Sequence, residues 1–106
     1  MVIRFDREDA PGEAPGKSHY NGFIVPNDAV FSELLALLPE RSDLLSVRGA
    51  AWQIVSKRDK GMVIGSITVH TDGTYSLTMP EEDRRVKEIE KGEITSRCVS
   101  AAGAER

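Results

Sequence analysis

Residues 50–80 restrict the fold of this chain more than any other stretch. Trp52 and Ile54, then Val63, Ile67 and Val69, then Tyr75 and Leu77 alternate with polar neighbours. Glycine-bearing turn clusters at 58–61 and 71–73 separate the three runs. Period-two alternation of β-branched and aromatic residues, broken by such clusters, predicts an antiparallel meander.

The register of the second hairpin follows from its faces. A three-residue loop of Thr71, Asp72 and Gly73 pairs Val69 with Tyr75 and Ile67 with Leu77, and sets Thr68 beside Ser76 and Ser66 beside Thr78. The apolar set then shares one face, whereas a two-residue loop would scatter it across both. The same loop puts Gly73 where a type I turn followed by a left-handed residue needs it. For the first hairpin, a four-residue loop at 57–60 is expected, with Ile54 opposite Val63 and Trp52 covering Gly65. That register leaves Met62 and Ile64 on the other face beside Ser66 and Thr68. These four residues form the candidate partner-binding surface, since exposed apolar groups on a sheet face invite association.

Around the meander, Val2, Ile3 and Phe5 suggest a short strand, and residues 19–25 a second one. Residues 6–18 carry two prolines, two glycines and no large apolar side chain. They cannot offset their own ordering entropy, so a mobile loop is expected there. A helix over 28–38 follows, with Asn27 or Asp28 as its cap. Val30, Phe31, Leu34, Leu35, Leu37 and Leu38 supply its apolar face, and Pro39 is expected to end it. Each Leu or Phe buried there contributes roughly 1.5–3 kcal/mol. Residues 44–57 read as a strand interrupted near Gly49. A helical stripe through Leu44, Val47, Ala51 and Ile54 is the alternative, and Gly49 opposes it at about 1 kcal/mol. Residues 81–91 read as a surface helix, with acids in the first turn, an Arg84–Glu88 pair and Gly92 past the end. Residues 94–99 suggest an edge strand, and 100–106 a frayed tail. The expected fold is therefore α+β, one domain over 1–106. An antiparallel meander (about 44–57, 61–70 and 74–79) is packed by helix 28–38, with a second surface helix at 81–91.

Composition sets further limits. A chain of 106 residues with 40% hydrophobic content suits one core. One cysteine, Cys98, excludes an internal disulfide and fits a reducing compartment. No apolar run approaches the roughly 18 residues needed to span a bilayer, and the first residues lack a secretory h-region. No membrane association and a cytoplasmic location are expected. The net charge of −3 is spread evenly, without the basic footprint of a nucleic-acid binder.

No motif for catalysis survives inspection. Gly12 to Ser18 resembles a phosphate loop but has three residues between the glycines instead of four, and no helix follows. His70 and His19 lack a carboxylate cluster that would make a metal set. Cys98 has only Arg97 nearby to activate it. No cofactor or metal is expected. The sequence therefore points to a non-enzymatic protein–protein interaction module: a small adaptor, chaperone-like protein or inhibitor, with a homodimer as its first form. The helix–strands–helix order resembles, in layout only, small export chaperones of bacterial secretion systems. If 43–58 were helical, the layout would resemble a winged-helix module, which makes a DNA-binding regulator the alternative. A small enzyme is the second alternative.

Overall fold

Six strands form one mixed sheet in the order β2-β1-β6-β3-β4-β5. They are β1 (Val2–Arg7), β2 (Tyr20–Ile24), β3 (Ala50–Ser56), β4 (Val63–Val69), β5 (Tyr75–Thr78) and β6 (Glu93–Ala101). One α-helix, α1 (Phe31–Arg41), accompanies them. The structure, a computed structural model, describes residues 1–9 and 20–101. Most of the expected mobile loop, with the rejected Gly12–Ser18 motif inside it, and 102–106 of the expected tail lie outside the described residues. A Cα radius of gyration of 13.1 Å matches the about 13 Å of a single domain of this length.

The meander forms as its alternation dictates. Ser66 pairs with Thr78, Ile67 with Leu77, Thr68 with Ser76 and Val69 with Tyr75. The His70 amide donates to Thr74 O at 2.8 Å, and Gly73 takes φ 92°, so the loop holds three residues. The first hairpin departs from expectation. Trp52 pairs with Ile67 and Ile54 with Gly65, then a bulge sets Val55 opposite Val63. The Ser56 amide donates to Met62 O at 3.0 Å, so the turn is longer than four residues. One extra residue in β4 reverses the side-chain parity beyond it. Ile64 thereby enters the core, fully buried, while Val63 stays 38% exposed. Leu35, and not Trp52, covers Gly65. A Cβ there would lie 2.6 Å from Leu35 Cδ2 and 2.9 Å from Thr78 O.

β6 is not an edge strand. It lies in the middle, antiparallel to β3 and parallel to β1, so the sheet is mixed rather than purely antiparallel. It continues through Ser100 and Ala101, which were expected to fray. β1 likewise runs on through Asp6 and Arg7, into the stretch expected to be mobile. Arg7 lacks apolar character but is buried all the same, because Asp43 and Trp52 satisfy its charge.

α1 lies on the face carrying Ile3, Phe5, Trp52, Ile54, Ile67 and Ile94, all fully buried. It begins at Phe31, later than the sequence suggested, because its cap comes from elsewhere. Asp83, 51 residues away, accepts the Ser32 amide at 2.8 Å and the Ser32 hydroxyl at 2.5 Å. The Phe31 amide donates to Arg84 O at 2.8 Å, and Glu33 Oε1 accepts the Val30 amide at 3.1 Å. The amides of Val30, Phe31 and Ser32 are thus satisfied without Asn27 or Asp28. Asn27 instead accepts a bond from the Met1 amine. At the other end, α1 runs past Pro39 to Arg41. The proline ring is buried, and the loss of one amide bond in the last turn is tolerated.

Two expected elements are replaced. Leu44–Ser46 is a 3-10 turn rather than strand, with Leu44 buried in the core. Residues 81–91 are not an α-helix. Their chain runs extended beside the start of α1, where the Val86 amide donates to Ala29 O at 2.9 Å. It then makes 3-10 turns at Val86–Glu88 and Glu90–Gly92, burying Val86 and Ile89. Pairing with α1 and burial of those two side chains outweigh a propensity worth tenths of a kcal/mol per residue. The Arg84–Glu88 ion pair forms even so, at 2.7 Å.

Candidate functional site

Among the described residues the helical elements serve one side of the sheet, since Leu44 and Val86 of the 3-10 turns and Ile89 between the last two join the same cluster as α1. Among the described residues, no helix covers the opposite, outer face. Its side chains follow from the register. Arg97, Gln53, Ser66 and Thr78 form one row across β6, β3, β4 and β5. Arg97 Nη2 donates to Gln53 Oε1 within that row. Thr68 lies in the next row with Ala51 and Ser76. At the other end of the face, Val2 pairs with Ile24, and they are 49% and 78% exposed.

The row opens into a cleft of about 480 Å³. Gln53, Ser66 and Thr78 line it from the sheet, and Gly61, Met62 and Val63 from the end of the β3–β4 turn. Met79, Pro80, Glu81, Glu82 and Arg84 bring the chain leaving β5 into its wall. The cleft exists because β5 stops at Thr78 while β4 reaches back to Val63. Pro80 has no amide to continue the ladder, and Asp83 is held at the start of α1.

The four sequence-derived candidates are therefore divided. Met62 and Ser66 both line the cleft, and Thr68 is half-buried one row away. Ile64 is in the core and offers no surface, which removes the apolar patch expected on the outer face. Met62 is half-buried and packs against the core. Sequence reasoning missed Met79 because it assigned that residue to a strand over 74–79, whereas β5 ends at Thr78, and it missed Glu81 and Glu82 because it assigned them to a surface helix.

Electrostatics around the cleft are dominated by local pairs. Arg84 is tied to Glu88, which holds the Glu88 carboxyl below and the Arg84 guanidinium above their ordinary ranges. Across the β3–β4 turn, Arg58 donates to Glu93 Oε1 at 2.9 Å and lowers the Glu93 carboxyl. Lys57 lies 3.6 Å from Asp6. The Ser32 hydroxyl and then its amide lower Asp83.

A second polar group lies on the core side. Arg7 makes bonds of 3.0 and 3.2 Å with Asp43, and its guanidinium sits 5.2 Å from the centre of the Trp52 ring. Trp52 Nε1 and Ser96 Oγ are buried and make no hydrogen bond among the described residues, an arrangement costing about 1–3 kcal/mol for each group. Cys98 pairs with Trp52 on the neighbouring strand and is half-buried. His70 is exposed and bonded to Ser76 Oγ at 2.8 Å, with Asp72 beyond it in the turn. Among the described residues, no group of three or more His, Cys, Asp or Glu side chains is placed to hold a metal ion. None of the helices among them is long and apolar enough to cross a membrane. The winged-helix layout is not adopted, since 50–56 form a strand and one α-helix accompanies the sheet. Comparison with family models, with curated proteins and with solved structures returns no match.

Proposed function

We propose that the protein is a non-enzymatic, cytoplasmic protein-binding module whose contact surface is the outer face of the sheet. The observation that carries this reading is the asymmetry of the fold. Among the described residues every helical element packs on one side, and the other side combines an exposed Val2–Ile24 pair with a polar row and a cleft. Single exposed apolar residues are ordinary, but a face that carries an exposed cross-strand pair at one end and a cleft at the other offers a contact surface for a partner. A second copy of the chain is the simplest such partner, through a two-fold axis.

The test is affinity co-purification from the native host, with wild type compared against Ile24→Glu and Thr68→Arg. Both positions are on the outer face and off the core, so thermal midpoints should stay near wild type. Loss of the same co-purifying proteins in both variants supports the reading. Recovery of an unchanged set in both defeats it. Sedimentation of the purified chain tests the homodimer: a wild-type monomer at high micromolar concentration removes that part.

A further inference from the structure

We infer that the cleft between the β3–β4 turn and residues 79–84 takes an extended, basic and apolar peptide segment. This inference rests on the binding-module reading and specifies the partner. Its volume of about 480 Å³ falls within the roughly 300–1,000 Å³ of ligand clefts. Two methionines and a valine line it, with Val63 38% and Met79 50% exposed. Methionine thioethers adapt to apolar side chains of varied shape, as peptide-binding surfaces require. The floor is polar. Gln53 Oε1 accepts Arg97, while among the described residues no hydrogen bond engages the hydroxyls of Ser66 and Thr78. These groups are free to bond the main chain of an extended segment.

Charge selects the segment. Glu81 and Glu82 are exposed on the wall, and neither makes an ion pair within the described residues. Arg84, the one cation lining the cleft among the described residues, is already paired with Glu88 at 2.7 Å. Nearby Arg58 and Lys57 are engaged by Glu93 and Asp6. With Glu82 also acting on Arg84, the wall sets three carboxylates, Glu81, Glu82 and Glu88, against one guanidinium, a balance that favours lysine or arginine over phosphate or acidic side chains. An occupant with apolar side chains among Met62, Val63 and Met79 and cations against Glu81 and Glu82 satisfies both features.

Three fluorescein-labelled hexapeptides test this with the full chain: alternating lysine–leucine, alternating glutamate–leucine and alternating lysine–serine. The lysine–leucine peptide is expected to bind saturably, at least about tenfold tighter than the other two, and to shift the amide resonances of Met62, Val63, Ser66 and Met79. Reversing Glu81 and Glu82 to lysine should weaken it about three- to fivefold for each residue, the scale of an exposed ion pair. Equal binding of the glutamate–leucine peptide, an unaffected Glu81→Lys/Glu82→Lys variant, or shifts elsewhere would overturn the assignment. So would a dimer that dissociates in that double variant without competition from the peptide. If the peptide does not bind while co-purification still depends on Ile24 and Thr68, the cleft assignment falls and the module reading stands. If co-purification ignores the outer face, the reading itself falls.

Discussion

Replacing Gly65 by alanine tests the bulge of β4 and the seat of α1 together. Gly65 has φ 151°, in a region that essentially only glycine adopts, at a cost of about 1–3 kcal/mol for other residues. The added methyl would also lie 2.6 Å from Leu35 Cδ2 and 2.9 Å from Thr78 O. Leu35 is fully buried and Thr78 O is backbone, so neither can move aside freely. Overpacking of this kind costs roughly 1–3 kcal/mol. Together the two effects predict a loss of about 2–6 kcal/mol, and a fall in thermal midpoint of at least about 8 °C for a domain of this size. Urea denaturation measures it, and a double-mutant cycle with Leu35→Ala locates its source. The single Leu35 change should cost about 2–5 kcal/mol. The double variant should lose less than the sum by about 1 kcal/mol or more, since the methyl then has room on one side. A Gly65→Ala variant within about 0.5 kcal/mol of wild type, or additivity within about 0.5 kcal/mol, would refute the argument.

Ile64→Lys should unfold the protein or cost several kcal/mol, because it places an unpaired charge in the core. A folded variant with a wild-type urea midpoint would contradict that burial. Gly73→Val puts a β-branched residue at φ 92° and should cost about 1–3 kcal/mol in urea denaturation. Asp43→Ala removes the carboxylate from a guanidinium that is 1% exposed and should cost about 2–3 kcal/mol, the low side for a buried pair because Asp43 itself is 40% exposed. Stability should be level from pH 7 to about pH 5 and fall below about pH 4. Asp83, Glu88 and Glu93 are all held below their ordinary values in the folded state. Their contribution is therefore complete above the ordinary carboxylate range and is lost as pH falls through the lowered values. Urea midpoints measured from pH 7 to pH 3 check it, and a midpoint rising on acidification would reverse the sign.

What was legible in the sequence was local. Thr71, Asp72 and Gly73 set the second hairpin because alternation on both sides admits one register, and Ile3, Phe5, Leu34 and Leu38 mark their buried faces by spacing alone. What was not legible depends on partners distant in the chain. The extra residue at Ile64 reverses parity without any composition signal. Residues 81–91 carry helical charge pairs, yet Asp83 and the 84–86 backbone are taken by the start of α1. β6 gives no sign of parallel pairing with β1, because such pairing is fixed by a strand some 90 positions earlier. The cleft inherits these errors: Met62 and Ser66 were found from the hairpins, while Met79, Glu81 and Glu82 required the true path after β5.

The central position of β6 has a consequence for the order of assembly. β1 and β2 form one hairpin, and β3 to β5 form the meander, but β6 alone joins them. Its Thr95 hydroxyl reaches Asp6 O across 89 positions, and its Cys98 amide reaches Glu8. On the ribosome, where strands emerge in sequence, the two earlier units must wait side by side with unsatisfied edges until β6 slots between them. Chains stalled after Gly92 should therefore be protease-sensitive throughout, whereas chains released beyond Ala101 should become resistant in a single step. Between those two lengths the nascent protein depends on whatever shields its open edges.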